Sequence, residues 1–271
     1  MIKVMTLNTG DQPQPATGRL HGCLAPLRQA QLDILCCQSL RRAMNGSEYL
    51  PHLLSRSLGL TSCCFAVNRR FSKEQCGIGG LAILTGSEVW MLNSGNLSMP
   101  DMEEGEEWIG QFALVRKNST SILVLNLELA PSAQTQSLQL LAVFAHPLLK
   151  EHYGAVVLCG DRHPEVSAKE LRAITTRSNY ALDPGTTPAA PGKGMLCLLT
   201  ARDQPEAAVI TGRAGTSQTV ASPGPGCPQP GPWIEFEVNR IPQARKVRRY
   251  MPLSFREQWL GYKEKYPAFA A

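Results

Sequence analysis

Five polar residues stand at or just beyond the ends of short apolar runs: Asn8, Ser39, Glu128, Asp161 and His163. Glu128 and Asp161 are carboxylates, and paired carboxylates are what a hard divalent cation requires. His163 could bind a softer divalent ion or donate a hydrogen bond to a phosphate. The chemistry open to this set is therefore metal binding, with hydrogen-bond donation from the histidine. Alternatively, Asp161 caps the turn after its strand, and His163, which precedes Pro164, is a solvent-facing loop residue.

The apolar runs predict the elements that must position these residues. Strands are predicted at 3–7, 34–37, 62–67, 81–84, 89–92, 109–115, 122–127, 155–159, 195–200, 208–211 and 233–238. Helices are predicted at 20–31, 47–58 and 167–176. The Pro- and Gly-rich stretches 184–194 and 214–232 are predicted loops. Clustered strands interleaved with helices predict an α/β fold, a two-sheet β-sandwich flanked by helices.

One further helix follows Ser132, which is expected to cap it, and Pro147 should bend or end it. Its predicted apolar face consists of Leu138, Leu141, Ala142 and Ala145.

Five segments resemble the endonuclease/exonuclease/phosphatase superfamily, which has the DNase I-like fold. They are 5–9, 33–39, 79–84, 123–129 and 156–163, where the family has roughly T-x-N, D-I-x-x-L-Q-E, G-x-A-I-L, N-x-H-L and G-D-x-N. The resemblance implies a single domain over residues 1–240 and metal-dependent hydrolysis of phosphoesters. Asn8 matches the family's metal-binding Asn, and Asp161 matches the Asp that orients the attacking water.

Other positions depart from the family's pattern. Ser39 replaces the metal-binding Glu, and a hydroxyl is a poor ligand for a hard cation. Glu128 replaces a His that stabilises phosphoryl charge, and two negative charges about 4 Å apart repel by roughly 4 kcal/mol at intermediate dielectric. His163 replaces an Asn that contacts the phosphate.

The family's S-D-H-x-P motif corresponds to residues 228–232, where Gln229 and Pro230 replace the Asp and the His. Proline can act as neither general acid nor general base. The Asp of the family's I-D-Y motif is also missing, at Leu196. The resemblance therefore implies an inactive or severely impaired member, a pseudoenzyme, with no cofactor expected. The alternative is a divergent phosphoesterase that uses Mg²⁺ or Mn²⁺, with Asp161, Glu128 and His163 as relocated ligands.

The positive charge of the chain lies at its C-terminus. Eight basic and two acidic residues follow Val238, a net charge of +6 in a chain whose total is +5. Residues 241–271 are predicted to form a basic, partly helical extension, with a capping-box pattern at 254–257. The predicted binding residues are Arg245, Lys246, Arg248, Arg249 and Trp259. They suit an acidic protein or nucleic acid, and self-association stays open. Alternatively, the aromatics pack on the domain and the charges are solvated.

Composition limits the class of protein. The chain has 271 residues, 43% of them apolar and 18% charged, as in a globular domain. No apolar run approaches 18 residues, so neither a membrane span nor a secretory signal is predicted. Several of the nine cysteines lie in predicted strands, and there is no C-x-x-C pair. We therefore expect reduced, buried thiols and a cytoplasmic location.

Overall fold

The computed structural model describes residues 1–9, 24–25, 27–43, 50–70, 77–100, 108–151, 153–160, 168–183, 195–202, 209–216 and 229–238. These residues form two mixed sheets. The first sheet contains β1 (Ile2–Asn8), β2 (Ile34–Ala43), β3 (Leu60–Arg70), β4 (Gly77–Gly86), β11 (Val209–Thr216) and β12 (Gln229–Val238), in the order β11-β12-β1-β2-β4-β3. The second contains β5 (Val89–Met99), β6 (Trp108–Lys117), β7 (Thr120–Leu127), β8 (Ala155–Gly160), β9 (Tyr180–Leu182) and β10 (Met195–Ala201), in the order β5-β6-β7-β8-β10-β9.

Helices cover the outer faces of the sheets. They are α1 (Leu50–Leu58), α2 (Ala133–Ala145), α3 (Ala168–Thr175) and a 3₁₀ helix at Pro147–Lys150. Helical backbone also occurs at 24–25 and 27–29, inside the helix predicted at 20–31. None of the described helices has the length and hydropathy needed to cross a membrane.

Central strands of the sandwich, such as β8, are buried on both faces. In β8, Val156 and Leu158 join the apolar cluster under the helices of the second sheet. Val157 and Cys159 join the cluster between the two sheets. Successive side chains of a strand point to opposite faces, so a strand with helices on one side and a sheet on the other must be apolar throughout. The predicted α/β sandwich of two sheets flanked by helices is confirmed.

Two strand pairs run parallel, and they place the polar residues of interest. β1 pairs with β2, with Asn8 opposite Gln38. β7 pairs with β8, with Leu127 opposite Gly160. The carboxyl ends of parallel strands lie at the same edge of a sheet. Asn8 ends β1 and Glu128 follows the end of β7, whereas Ser39 lies within β2, one residue beyond the partner of Asn8.

The helix predicted after Ser132 is confirmed, but its predicted buried face is wrong. Ser132 caps α2 by accepting a hydrogen bond from the Thr135 N–H at 3.2 Å, and the helix ends at Ala145, before Pro147. Leu138 and Ala145 are exposed, and Leu141 and Ala142 are only half-buried. The buried residues are Thr135, Gln136, Gln139, Leu140, Val143 and Phe144. Two glutamines occupy the buried face because they bind a buried backbone segment, as described below.

The predicted burial of the strand cysteines is confirmed. Cys36, Cys37, Cys159 and Cys197 are buried and free. Burial raises the pKa of Cys37 and of Cys159 well above the usual range, and raises that of Cys197 to about 12. These thiols stay protonated at neutral pH and act as small apolar side chains.

Candidate functional site

Ser39 and Glu128 meet across the two sheets. The Ser39 hydroxyl donates a hydrogen bond to Oε1 of Glu128 at 3.2 Å, although the two residues lie 89 positions apart. The side chains are almost fully buried, with 7% of Ser39 and 2% of Glu128 exposed. A hydrogen bond to a carboxylate is among the stronger kinds, and a buried carboxylate needs such partners. Ser39 and Glu128, which both differ from the residues in the family's motifs, are therefore in contact.

The backbone, rather than a flexible side chain, positions Ser39. Its φ is +52°, in the left-handed region that non-glycine residues seldom adopt. The register between β2 and β4 passes from Cys37–Ala82 to Leu40–Gly80, so Gln38 and Ser39 together form a β-bulge. A bulge of this kind redirects a side chain, here in the middle of β2.

Thr9 secures the bulge from the neighbouring strand end. Its N–H donates to the Gln38 carbonyl at 3.1 Å, and its hydroxyl donates to the Ser39 carbonyl at 2.8 Å. The unusual conformation of Ser39 is thus held by hydrogen bonds to main-chain carbonyls, which do not depend on the serine side chain.

Helix α2 holds the segment that carries Glu128. The Ala130 N–H donates to Oε1 of Gln139 at 2.9 Å, and Nε2 of Gln136 donates to the Ala130 carbonyl at 2.8 Å. Residues 128–130 are all buried, and a buried backbone group without a partner is costly. The two glutamines pair with the N–H and the carbonyl of Ala130, and so they hold the chain just beyond Glu128. Sequence reasoning missed them, although their i, i+3 spacing with apolar Leu140 and Val143 places them on one helical face.

A second polar contact joins the sheets beside the first. Thr6 Oγ1 donates to Oε1 of Gln38 at 2.9 Å, and Nε2 of Gln38 donates to Oδ1 of Asn126 at 2.7 Å. Nδ2 of Asn126 then donates to the carbonyls of Cys37 and Ala82, at 3.0 and 3.1 Å. The signal for this network was present in the sequence, as single polar residues inside otherwise apolar strands.

The segment that replaces the acid–base motif lies next to Asn8. In the pairing of β1 with β12, Gln229 is opposite Asn8 and Pro230 is opposite Leu7. The strand thus begins at Gln229 rather than at the predicted Trp233, and the predicted loop 214–232 is interrupted by strand residues at both ends. The register shifts between Met5 and Leu7, and such an irregularity tolerates proline within a sheet.

The described residues do not fit a divalent ion by themselves. They bring one carboxylate, Glu128, with the hydroxyl of Ser39 and the amide of Asn8 at the neighbouring strand ends. One oxygen of that carboxylate already accepts a hydrogen bond from Ser39. In the described part of the chain, no three His, Cys, Asp or Glu side chains come together in a way that could hold a metal.

The remaining predicted site residues lie outside the described residues. Asp161 and His163 follow Gly160, the last residue of β8. Their role with Glu128 as relocated metal ligands therefore stays a prediction. The same holds for the extension 241–271 and its residues Arg245, Lys246, Arg248, Arg249 and Trp259.

Solved structures share the fold at low sequence identity. The human Nocturnin catalytic domain with bound sulfate is 16% identical, with a TM-score of 0.66 over 88% of this chain and 94% of that one. An endonuclease/exonuclease/phosphatase family protein from Leptotrichia buccalis is 10% identical, with a TM-score of 0.64 over 88% and 100% of the chains. TDP2 of D. rerio, complexed with single-strand DNA product, is 13% identical, with a TM-score of 0.61 over 88% and 99%.

No protein-family model and no curated protein sequence matches this chain. The structural neighbours nevertheless have in common the DNase I-like architecture that the sequence motifs resemble. The chain therefore has the fold of the endonuclease/exonuclease/phosphatase proteins, at a sequence distance at which the fold alone is shared.

Proposed function

We propose that this protein is a catalytically inactive or severely impaired protein of the endonuclease/exonuclease/phosphatase fold that works as a binding or scaffold module. The contact between Ser39 and Glu128 carries the proposal. Where the family resemblance calls for a metal-binding carboxylate, this chain has a hydroxyl, and that hydroxyl holds Glu128 at 3.2 Å. The register of Pro230 beside Leu7 adds support, because a residue without an ionisable group stands next to this end of the sheet.

Turnover measurements test the loss of activity. The full chain is incubated with plasmid DNA, an abasic duplex, a phosphoinositide and a generic phosphodiester, each with Mg²⁺ and with Mn²⁺. We expect rates no higher than those of the matched variant Asp161→Ala, since residues that act as a catalytic unit fail together. Turnover that disappears in Asp161→Ala would show an active phosphoesterase.

The binding surface of the proposed module is the basic C-terminal segment. The residues after Val238 carry a net charge of +6, which makes a negatively charged partner, an acidic protein or nucleic acid, the proposed ligand. Partner capture is compared between the full chain and a variant in which four basic residues become Gln: Arg245, Lys246, Arg248 and Arg249. A nucleic-acid partner should be lost from the variant, and its affinity for the unaltered chain should fall steeply with salt through counterion release.

Replacing Trp259 separates the two kinds of partner. An acidic protein anchored on this aromatic residue should bind in a salt-tolerant way and be lost in Trp259→Ala. Identical partners for the unaltered chain, the four-residue variant and Trp259→Ala would exclude the C-terminal segment as the interface. A change in the oligomeric state of these variants would indicate self-association instead.

A second candidate function is a divergent phosphoesterase with relocated ligands. One observation favours it: the Glu128 carboxylate lies within hydrogen-bond distance of Ser39, so a carboxylate is still present close to the expected metal position. Asp161 and His163 would complete the ligand set, with Mg²⁺ or Mn²⁺ as the ion. Calorimetric titration with each ion is the test, and a Kd below about 10 μM would favour this candidate.

A further inference from the structure

The two sheets are joined by a direct hydrogen bond between the side chains of Ser39 and Glu128. Ser39 belongs to the first sheet, and Glu128 follows the last residue of β7 in the second. Their contact at 3.2 Å is buried. A hydroxyl that donates to a carboxylate satisfies part of the hydrogen-bonding demand of that group, a role that a bound cation could also fill.

Each half of the contact is positioned independently of the other. The left-handed bulge at Ser39 is held by Thr9 through main-chain carbonyls. The segment beyond Glu128 is held by Gln136 and Gln139 through the backbone of Ala130. The hydrogen bonds that hold these two backbone segments therefore do not involve the side chains of Ser39 and Glu128.

We propose that the Ser39–Glu128 hydrogen bond links the two sheets without a metal and takes the place of a divalent cation between them. The folded state then gains nothing from Mg²⁺ or Mn²⁺. A second carboxylate at position 39 would face Glu128. The link between the sheets would then depend on a bound cation. The inference rests on the proposed loss of metal chemistry at this site, and it is independent of the C-terminal partner.

Two variants of equal shape isolate the charge. Asp and Asn both tolerate the left-handed conformation, so Ser39→Asp and Ser39→Asn differ mainly by one negative charge. Two carboxylates that share a site repel each other and share a proton, so the melts are run at about pH 8, where that sharing is reduced. Thermal unfolding of the full chain is followed with EDTA and with excess Mn²⁺.

With EDTA, Ser39→Asp is expected to melt at least about 5 °C below Ser39→Asn, a shift that corresponds to the loss of one or two strong interactions in a domain of this size. Excess Mn²⁺ should raise the melting temperature of Ser39→Asp by most of that difference. The melting temperatures of the unaltered chain and of Ser39→Asn should not change. Combining Ser39→Asp with Glu128→Gln removes one of the two carboxylates and should abolish the Mn²⁺ effect. If Ser39→Asp does not fold with EDTA, the same comparison is made by refolding it with Mn²⁺.

Three results would overturn the inference. The unaltered chain could gain as much from Mn²⁺ as Ser39→Asp does, which would mean that a metal already bridges the site. Ser39→Asp could melt like Ser39→Asn with EDTA, which would mean that Glu128 is not its neighbour. Ser39→Asp could also stay destabilised, or unfolded, with Mn²⁺. Turnover and partner capture measure different properties, so a failure here is distinguishable from a failure of the proposed function.

Discussion

The side-chain amide of Gln38 donates a hydrogen bond to Oδ1 of Asn126 at 2.7 Å and so joins the two sheets through fully buried polar atoms. Each of these residues is the sequence neighbour, or next neighbour, of a residue in the Ser39–Glu128 contact. The end of the sandwich that carries the candidate site is thus held by polar bonds, and an apolar cluster also packs between the sheets. A satisfied buried network of this kind fixes the relative position of the elements it joins.

Replacing Asn126 should therefore destabilise the fold. Asn126→Ala removes the hydrogen bonds to the Gln38 amide and to the carbonyls of Cys37 and Ala82, and the Gln38 amide keeps only a bond of 3.4 Å to the Cys36 carbonyl. We expect a loss of about 3 kcal/mol or more in the free energy of unfolding, measured by urea denaturation, since each buried unpaired group costs roughly 1–3 kcal/mol. The matched control is Asn96→Ala, at an exposed strand position. Equal effects of the two substitutions would contradict the network.

Gln139 should be needed to hold the segment that carries Glu128. Gln139→Met keeps the size of the side chain but leaves the buried Ala130 N–H without its acceptor, and should cost about 1–3 kcal/mol. Gln134→Met, at an exposed position of the same helix, should change stability by less than about 0.5 kcal/mol. Protection of the Ala130 amide from hydrogen exchange gives a local measurement. Unchanged protection in Gln139→Met would show that the glutamine is not the partner.

Gly80 is required by the close approach of β3 to β4. A Cβ at Gly80 would lie 2.2 Å from the Ala66 carbonyl oxygen and 2.5 Å from the Phe65 ring, so the backbone itself would have to move. Gly80→Ala should cost about 2–3 kcal/mol or prevent folding, in line with other overpacked sites. Gly86→Ala in the same strand meets its nearest atom only at 3.5 Å and should be nearly neutral. Similar melting temperatures for the two variants would refute this difference.

His146 should make stability depend on pH. Its Nδ1 accepts a hydrogen bond from the Leu148 N–H at 3.2 Å, and desolvation by burial lowers the pKa of its imidazole below 6.5. The folded state therefore favours the neutral ring. The contribution of His146 to stability is complete above the unfolded pKa of about 6.5 and is lost as the pH falls from there toward the lower folded pKa.

Comparison with His146→Asn isolates this effect, because asparagine can also accept the bond but does not titrate. The melting temperature of the unaltered chain, relative to the variant, should fall between about pH 7 and pH 5. A constant difference between the two proteins over that range would mean that His146 does not contribute.

The sequence by itself determined the architecture and the approximate positions of the strands. Apolar runs such as Ala155–Cys159 can be buried on both faces only inside a layered sandwich, so composition and length suffice to predict them. The ends of α2 were also predictable from nearby residues, because Ser132 caps its first turn and Pro147 cannot continue it. Asn8 was correctly placed at the end of β1 for the same reason. These features depend on residues that are close in the chain.

The tertiary structure alone decided what the site residues contact. Ser39 and Glu128 lie 89 positions apart, and their hydrogen bond exists only because one sheet packs on the other with the strand ends aligned. The left-handed bulge at Ser39 depends on its register against β4 and on Thr9, just beyond the neighbouring strand β1. The presence of a serine in the sequence implies neither. Likewise, helical periodicity favoured a face with Leu138, but the buried backbone of Ala130 selected the face with Gln139. A local pattern records hydrophobicity, whereas a buried polar partner is set by packing between distant segments.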